Sequence, residues 1–185
     1  MSRPPKITNT KKPTQTQVAT LTQQALTFHQ QGNFDEAQAI YEKILLIQPD
    51  LITAHYNLSL FNLMRGNFKA GWQGYEWRWL DKGCDSEPLQ TNKPAWGYQK
   101  TDQCLLVWAE QGIGDHISFG SLLSELLEDV PNLLVQIDKR LIPIFTRSLP
   151  KIKFYPDDIK LLESDYDVHV AIGSLGKYLR NDEKD

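Results

Sequence analysis

Apolar positions change their spacing along the chain. Over roughly residues 16–80 they recur every three to four residues, the interval that lines one face of a helix. Breaks in this pattern predict helices near 16–31, 34–47, 51–65 and 68–80. The last of them, FKAGWQGYEWRWL, carries Phe68, Trp72, Tyr75 and Trp79 on one stripe, with Trp77 and Leu80 adding apolar surface elsewhere. From Asp81 to Gln103 the pattern dissolves around Pro94-Ala95-Trp96-Gly97, a connector expected to be held down by Trp96. Beyond it, CLLVWA (104–109), LLVQI (133–137), Ile152–Tyr155 and YDVHVAI (166–172) read as strands. A helix over Asp115–Asp129 presents Phe119, Leu122, Leu123, Leu126 and Leu127 on one side. Another covers Lys139–Ser148 and is expected to break or kink at Pro143. Strands alternating with helices predict a parallel sheet.

The helical part repeats itself. Gly32-Asn33-Phe34 returns as Gly66-Asn67-Phe68, an offset of 66 − 32 = 34, and at that offset Ala37 matches Gly71 and Tyr41 matches Tyr75. Pro49 closes the first unit. A 34-residue period with a small residue three positions after Phe and an aromatic four further on resembles the tetratricopeptide repeat. The small residue lets two helices approach, the aromatic fills the space beside it, and Gly-Asn makes the turn. The expected fold class is therefore α + α/β. About two tetratricopeptide helical hairpins span 16–80 behind a disordered lead-in over 1–15, and a connector follows over 81–103. A partial Rossmann-like parallel sheet of about four strands then fills 104–185. Such arrays generally need about three repeats, and they end in a helix with a polar outer face. The aromatic last helix is instead expected to cap itself on the following domain; the alternative is one oversized core.

Composition narrows the functional classes. The 185 residues suffice for one or two small domains. A net charge of −3 and a pI near 5.8 give no electrostatic case for nucleic acid. Leu105–Ala109 and Leu122–Leu127 fall far short of the roughly 20 apolar residues of a membrane span. The opening MSRPPKITNTKKPTQTQ has basic residues without an apolar run behind them, so no secretory signal is expected there. Cys84 and Cys104 stand 104 − 84 = 20 apart with no second pair or histidine cluster, so a zinc site is not expected. Nothing suggests export, and reduced thiols in the cytoplasm are the expectation. No Ser-His-Asp, metal-ligand or Walker pattern occurs, and no cofactor or metal is expected.

The stretch WAEQGIGDHISF places Gly112-Ile113-Gly114-Asp115-His116 where the first strand hands over to a helix. Three readings compete. As a dinucleotide turn it has two of the three glycines, with Asp138 lying 138 − 114 = 24 residues past Gly114 as the ribose acid. Ile117 replaces the third glycine, however, and Asp115 sets negative charge where pyrophosphate belongs. As a structural turn, Asp115 is an N-cap accepting from the Ile117 or Ser118 N–H, with no Glu or Gln at 118 for a capping box. As a catalytic turn, Asp115 lies on the crevice edge and takes a proton from an attacking hydroxyl. Spacing alone does not choose between base and cap. Glu110 and Gln111 either hydrogen-bond a sugar or are solvated turn residues. His116 either assists proton transfer or sits on a helix surface. His169 reads as a packing residue, and Asp157, Asp158, Glu163 and Asp165 as a solvated acidic loop.

The run from GNFKAGWQGYEWRWL through PAWG to LLVWAEQGIGDHISF resembles bacterial proteins that fuse tetratricopeptide repeats to a glycosyltransferase-like module. That module is similar to the N-terminal half of the lipopolysaccharide heptosyltransferase family, with the two-domain fold called GT-B. The likeness covers about residues 20–178, and EQGIGD and YEWRW are its most specific strings. It implies a nucleotide-sugar-dependent transferase whose N-terminal domain holds the acceptor and whose C-terminal domain holds the donor. It also implies Asp115 as catalytic base, with Gly112 and Gly114 forming the turn; Glu110, Gln111 and His116 are the further substrate-binding candidates beside it. Gly176 stands in SDYDVHVAIGSLGKYL where the family has proline, and His116 where the fusion proteins commonly have threonine. The stretch from Cys104 to Asp185 is at most half of a two-Rossmann transferase. The expectation is an acceptor-side half, inactive alone and able to use a nucleotide sugar only with a separate donor-domain chain. The alternative is a non-catalytic interaction module. In it Gln24, His29, His55, Asn57 and Asn62 line the concave surface of the repeats and bind a protein or peptide. A dinucleotide-dependent oxidoreductase is third.

Overall fold

The computed structural model describes residues 15–81 and 87–181. The lead-in over 1–14, Cys84 and residues 182–185 lie outside the described residues. Four helices come first: α1 (Gln15–Gln30), α2 (Phe34–Ile47), α3 (Ile52–Met64) and α4 (Phe68–Tyr75). They pack as two hairpins, α1 on α2 and α3 on α4. Both hairpins turn alike. Asn33 N–H bonds Phe28 O at 2.9 Å and Gly32 N–H bonds His29 O at 3.0 Å, and 34 residues later Asn67 and Gly66 repeat this onto Asn62 and Leu63. This is the Schellman closure of a helix, which needs a left-handed residue, and Gly32 and Gly66 supply it at φ +77° and +78°. Ala25, Ala37, Tyr41, Ile44, Ala54 and Phe61 form the core between the helices.

The fourth helix does not run to Leu80 as one element. It tightens after Tyr75 into a 3-10 helix over Glu76–Leu80. With three residues per turn, Arg78 stands over Tyr75. Its Nη1 donates to Tyr75 O at 3.1 Å, and its guanidinium lies 4.5 Å from the Tyr75 ring centre. Trp77, expected off the stripe, stacks on His55, while the stripe itself divides, Trp72 and Tyr75 meeting Phe119 and Trp79 turning toward Trp108.

The second part is a four-stranded sheet of β1 (Leu105–Trp108), β2 (Leu133–Ile137), β3 (Lys153–Pro156) and β4 (Val168–Ala171). All pairings are parallel, in the order β3-β2-β1-β4. Helices α5 (Ile113–Gly120), α6 (Leu123–Asp129), α7 (Ile142–Ser148) and α8 (Gly176–Leu179) contribute to the core on one face, around Leu105, Val107, Val135 and Ile137. The other face, with Leu106, Trp108 and Leu134, is covered by Leu89, Leu161, Tyr166 and Trp79.

Two helical expectations need correction. The segment 115–129 is two helices, because Leu122 N–H bonds Phe119 O at 3.0 Å and Ser121 Oγ donates to Ser118 O at 2.7 Å. The break turns Phe119 toward Trp72 and Tyr75 while Leu123 and Leu126 stay in the core against the sheet. Pro143 lies in the first turn of α7 and starts that helix instead of kinking it, since no intrahelical donor is required there. The connector acts as a strap. Trp96 N–H donates to His169 O at 2.8 Å and His169 N–H to Pro94 O at 3.2 Å, which covers the outer edge of β4.

The two parts are in close contact. A Cβ built on Gly176 would lie 2.5 Å from Trp72 Cε2, so α4 rests on the start of α8 at a point where no side chain fits.

Candidate functional site

In an open α/β sheet ligands bind at the carboxyl ends of the strands, where the connections change direction. Here β1 leads to β2 and β3 on one side and β4 returns on the other, so the switch lies between β1 and β4. A side chain from the helical part fills it. Arg78, 1% exposed, sets Nη2 2.6 Å and Nε 3.1 Å from the two oxygens of Glu110, which follows β1. Its Nη2 also donates to Ser174 Oγ at 2.8 Å, beyond β4, and its Nη1 to Glu76 at 2.8 Å. Gly173 N–H donates to Glu110 Oε1 at 3.1 Å. Burial works against the charge on Arg78, but the bond and charge of Glu110 outweigh it and hold the guanidinium above its ordinary pKa. Burial pushes the Glu110 carboxyl up, opposed by Arg78. Glu110 is thus not a solvated turn residue: its side chain is enclosed and committed to Arg78.

Gln111 follows at φ +64°, a left-handed conformation uncommon for a residue with a Cβ. Its side-chain amide meets the Tyr75 hydroxyl, with Oε1 at 3.0 Å and Nε2 at 2.9 Å. Burial pushes the Tyr75 pKa up to about 12. The helical part therefore grips both residues that follow β1.

Asp115 is not the N-cap. The helix α5 begins at Ile113 with Gly112 as its cap, and Asp115 is the third helical residue. Its Oδ2 accepts the Gly112 N–H at 3.1 Å, the reach-back half of a capping box; glycine has no side chain for the other half. The carboxylate is half-buried at the mouth of the turn, while Gly112 and Gly114 are exposed.

His116 is buried, 3% exposed, and does not sit on a helix surface. The Asp138 N–H, at the end of β2, donates to its Nδ1 at 3.2 Å, which leaves the neutral ring's proton on Nε2. His116 lines an open cleft of about 480 Å³ with Trp108, Ala109, Gln111, Asp157 and Leu89. Asp138 itself is not placed as a ribose acid. Arg140 holds it at 2.6 and 2.9 Å and draws its pKa well below the carboxylate range.

The acidic loop is tied down as well as solvated. Glu163 accepts from Thr91 Oγ1 at 2.9 Å and Asn92 N–H at 2.6 Å, bonds that lower its pKa and fasten the connector to the loop. Asp158 pairs with Lys139 at 2.9 Å, and Asp165 accepts the Leu162 N–H. His169 packs in its strand: its Nδ1 accepts from Trp108 Nε1 at 3.2 Å, and burial lowers its pKa.

Of the five candidate partner-binding residues, Gln24 stands exposed on α1. His29 packs edge-on against Phe61 and Phe34, and His55 stacks on Trp77 at 3.8 Å while bonding Pro49 O at 2.7 Å. The His55 ring is thus occupied on one face and at Nε2, while the half-buried His29 packs among the core aromatics. Asn57 donates back to Thr53 O, and Asn62 accepts from Asn67 across the turn.

Sequence reasoning passed over Arg78, Ser174 and Gln136. Two of them carry a legible signal: Arg78 is a lone cation between two tryptophans, and Gln136 is a lone amide in LLVQI. Among the described residues no group of three or more His, Cys, Asp or Glu is placed to hold a metal, and no helix is long and apolar enough to cross a membrane.

No family model matches the chain. It is similar to Protein FlbA of Caulobacter vibrioides, 29% identical over 108 residues, which is 56% of this chain and 18% of that protein. The match thus spans less than a fifth of FlbA.

Proposed function

We propose that the α/β part is the acceptor side of a nucleotide-sugar-dependent transferase, and that the helical hairpins are tetratricopeptide repeats carrying its protein partner or acceptor. The observation that carries this reading is the cleft of about 480 Å³ at the carboxyl edge of the sheet, with Trp108, His116 and Asp157 on its walls. An indole edge, an imidazole N–H donor and a carboxylate suit a hydroxylated ligand. Asp115 stands one residue from His116 and would take the acceptor's proton. The repeat assignment is supported by the same Schellman turn recurring after 34 residues. Nucleotide-sugar binding needs a unit beyond the single sheet seen among the described residues. A cytoplasmic place of action belongs to this reading, in keeping with Cys104 as a free thiol.

A second reading is favoured by one observation, the closure of the β1–β4 crevice by Arg78. In it the sheet is a rigid cap for the hairpins and the chain is a non-catalytic interaction module.

Fluorine NMR of protein carrying 5-fluorotryptophan at its five tryptophans separates the two. The Trp108 line, assigned through Trp108→Phe, is expected to move saturably with maltose or with a serine-containing peptide. If neither moves it at tens of millimolar, the acceptor reading fails and the module reading stands.

A further inference from the structure

The cleft beside His116 adjoins a second cavity of about 380 Å³, and Leu89, Asp157 and Asp158 lie on the walls of both. The second cavity runs over the helix-free face of the sheet, with Leu106 and Tyr166 among its walls. Gln136 opens onto it while remaining 7% exposed. Its amide orientation is fixed, because Nε2 has two carbonyl partners, Ile159 O at 2.8 Å and Pro156 O at 3.4 Å. Among the described residues Gln136 Oε1 has no hydrogen-bond partner, and neither has His116 Nε2. Neither atom is sealed from solvent, so each is open to a polar group of a ligand. One open acceptor and one open donor therefore line two adjoining cavities.

Gln136 lies on β2, and Asp138, whose N–H holds the His116 ring, lies just past its end, so the acceptor and the donor stand along one strand. An extended peptide offers both N–H and C=O groups along one edge. The walls add charge: Glu87 and Asp157 line the His116 cleft, Asp157 in no ion pair among the described residues, while Asp158 is paired with Lys139 and Lys160 lines the second cavity.

We propose that the joined cavities hold an extended peptide segment bearing a basic residue, its backbone carbonyl accepting from His116 Nε2 and a backbone N–H donating to Gln136 Oε1. The proposal rests on the reading of this cleft as an acceptor site and gives that acceptor a chemical class. An apolar side chain of the peptide rests on Leu106 and Tyr166, and the basic one faces Asp157.

The test uses the ¹⁵N-labelled chain and three probes: acetyl-Ala-Lys-Ser-Leu-amide, its Lys→Glu counterpart, and maltose. The reporters are the Asp138 backbone amide and the Gln136 side-chain amide. The lysine peptide is expected to shift both saturably, and the glutamate peptide to bind several-fold more weakly. His116→Asn keeps an acceptor for the Asp138 N–H but removes Nε2, and is expected to weaken the lysine peptide about tenfold. Unchanged affinity in His116→Asn overturns the proposal. So does equal binding of the two peptides, which decides the matter should His116→Asn fail to fold. Shifts with maltose alone overturn it too while leaving the acceptor reading intact, and silence with all three probes removes both.

Discussion

The Arg78 guanidinium lies across the Glu110 carboxylate where β1 and β4 part, 2.6 Å from Oε1 and 3.1 Å from Oε2, so one salt bridge joins the helical hairpins to the sheet. Removing either partner leaves the other buried and charged, at a cost of about 3–5 kcal/mol. Arg78→Met and Glu110→Met are each expected to lose about that much in urea unfolding. The double variant is expected to recover about 1–3 kcal/mol of the summed loss. Strict additivity of the two losses would show that the pair is not coupled.

Alkaline stability depends on two tyrosines at the same junction. Burial raises Tyr75 and Tyr98 to about 12, against an ordinary value near 10. An acid with a raised folded pKa contributes stability that is full below its unfolded pKa, because above it only the unfolded chain gains by ionising. Stability is therefore expected to fall as pH rises from about 10 towards 12. Tyr75→Phe should flatten part of this fall in chemical-denaturation midpoints measured along the pH series. An unaltered slope in Tyr75→Phe would mean that Tyr75 ionises in the folded chain as it does unfolded.

Much of the architecture is legible because it rests on local chemistry. The Gly-Asn-Phe pairs announce their turns through a glycine that must adopt positive φ, and the four strands through short apolar runs. What escapes is geometry set by contacts distant in sequence. Nothing local says that α4 tightens after Tyr75, since the cause is Arg78 turning inward to Glu110, 32 residues on. His116 looks like a surface residue in a helical pattern and is buried only because β2 ends against it. Glu110 looks solvated for the same reason, its partner lying in the other half of the chain. Asp115 could be placed near the start of α5 from sequence, yet its position as third residue depends on where Gly112 starts the helix.

Gly176 stands where a larger residue is excluded by Trp72. Gly176→Ala is expected to cost about 1–3 kcal/mol by overpacking, even though alanine favours a helix. Trp72→Leu in the same chain should restore most of the loss, and it also removes an indole N–H that is buried without a partner. A Gly176→Ala protein as stable as the parent would place Trp72 away from α8.

A Cβ added at Gly32 would meet nothing within 4 Å, so Gly32→Ala tests backbone conformation alone. At φ +77° the substitution is expected to cost about 1–2 kcal/mol, visible as a lower Tm. Gly32→Asn should lie between, since asparagine tolerates the left-handed region best after glycine. Equal Tm values for all three would mean that the Schellman turn does not hold the first hairpin.

Asp115→Asn separates cap from base. The variant keeps an oxygen for the Gly112 N–H, so its cost in stability is expected to stay below about 1 kcal/mol. Transfer, measured with a donor domain supplied, is expected to fall by about 10²–10⁴ if the carboxylate takes the acceptor's proton. The two readouts move independently, because a hydrogen-bonding amide can hold the turn but cannot accept a proton at neutral pH. Transfer at the parental rate in a stable Asp115→Asn protein would assign the residue to the start of α5 alone, and the proton would have to leave the acceptor by another route.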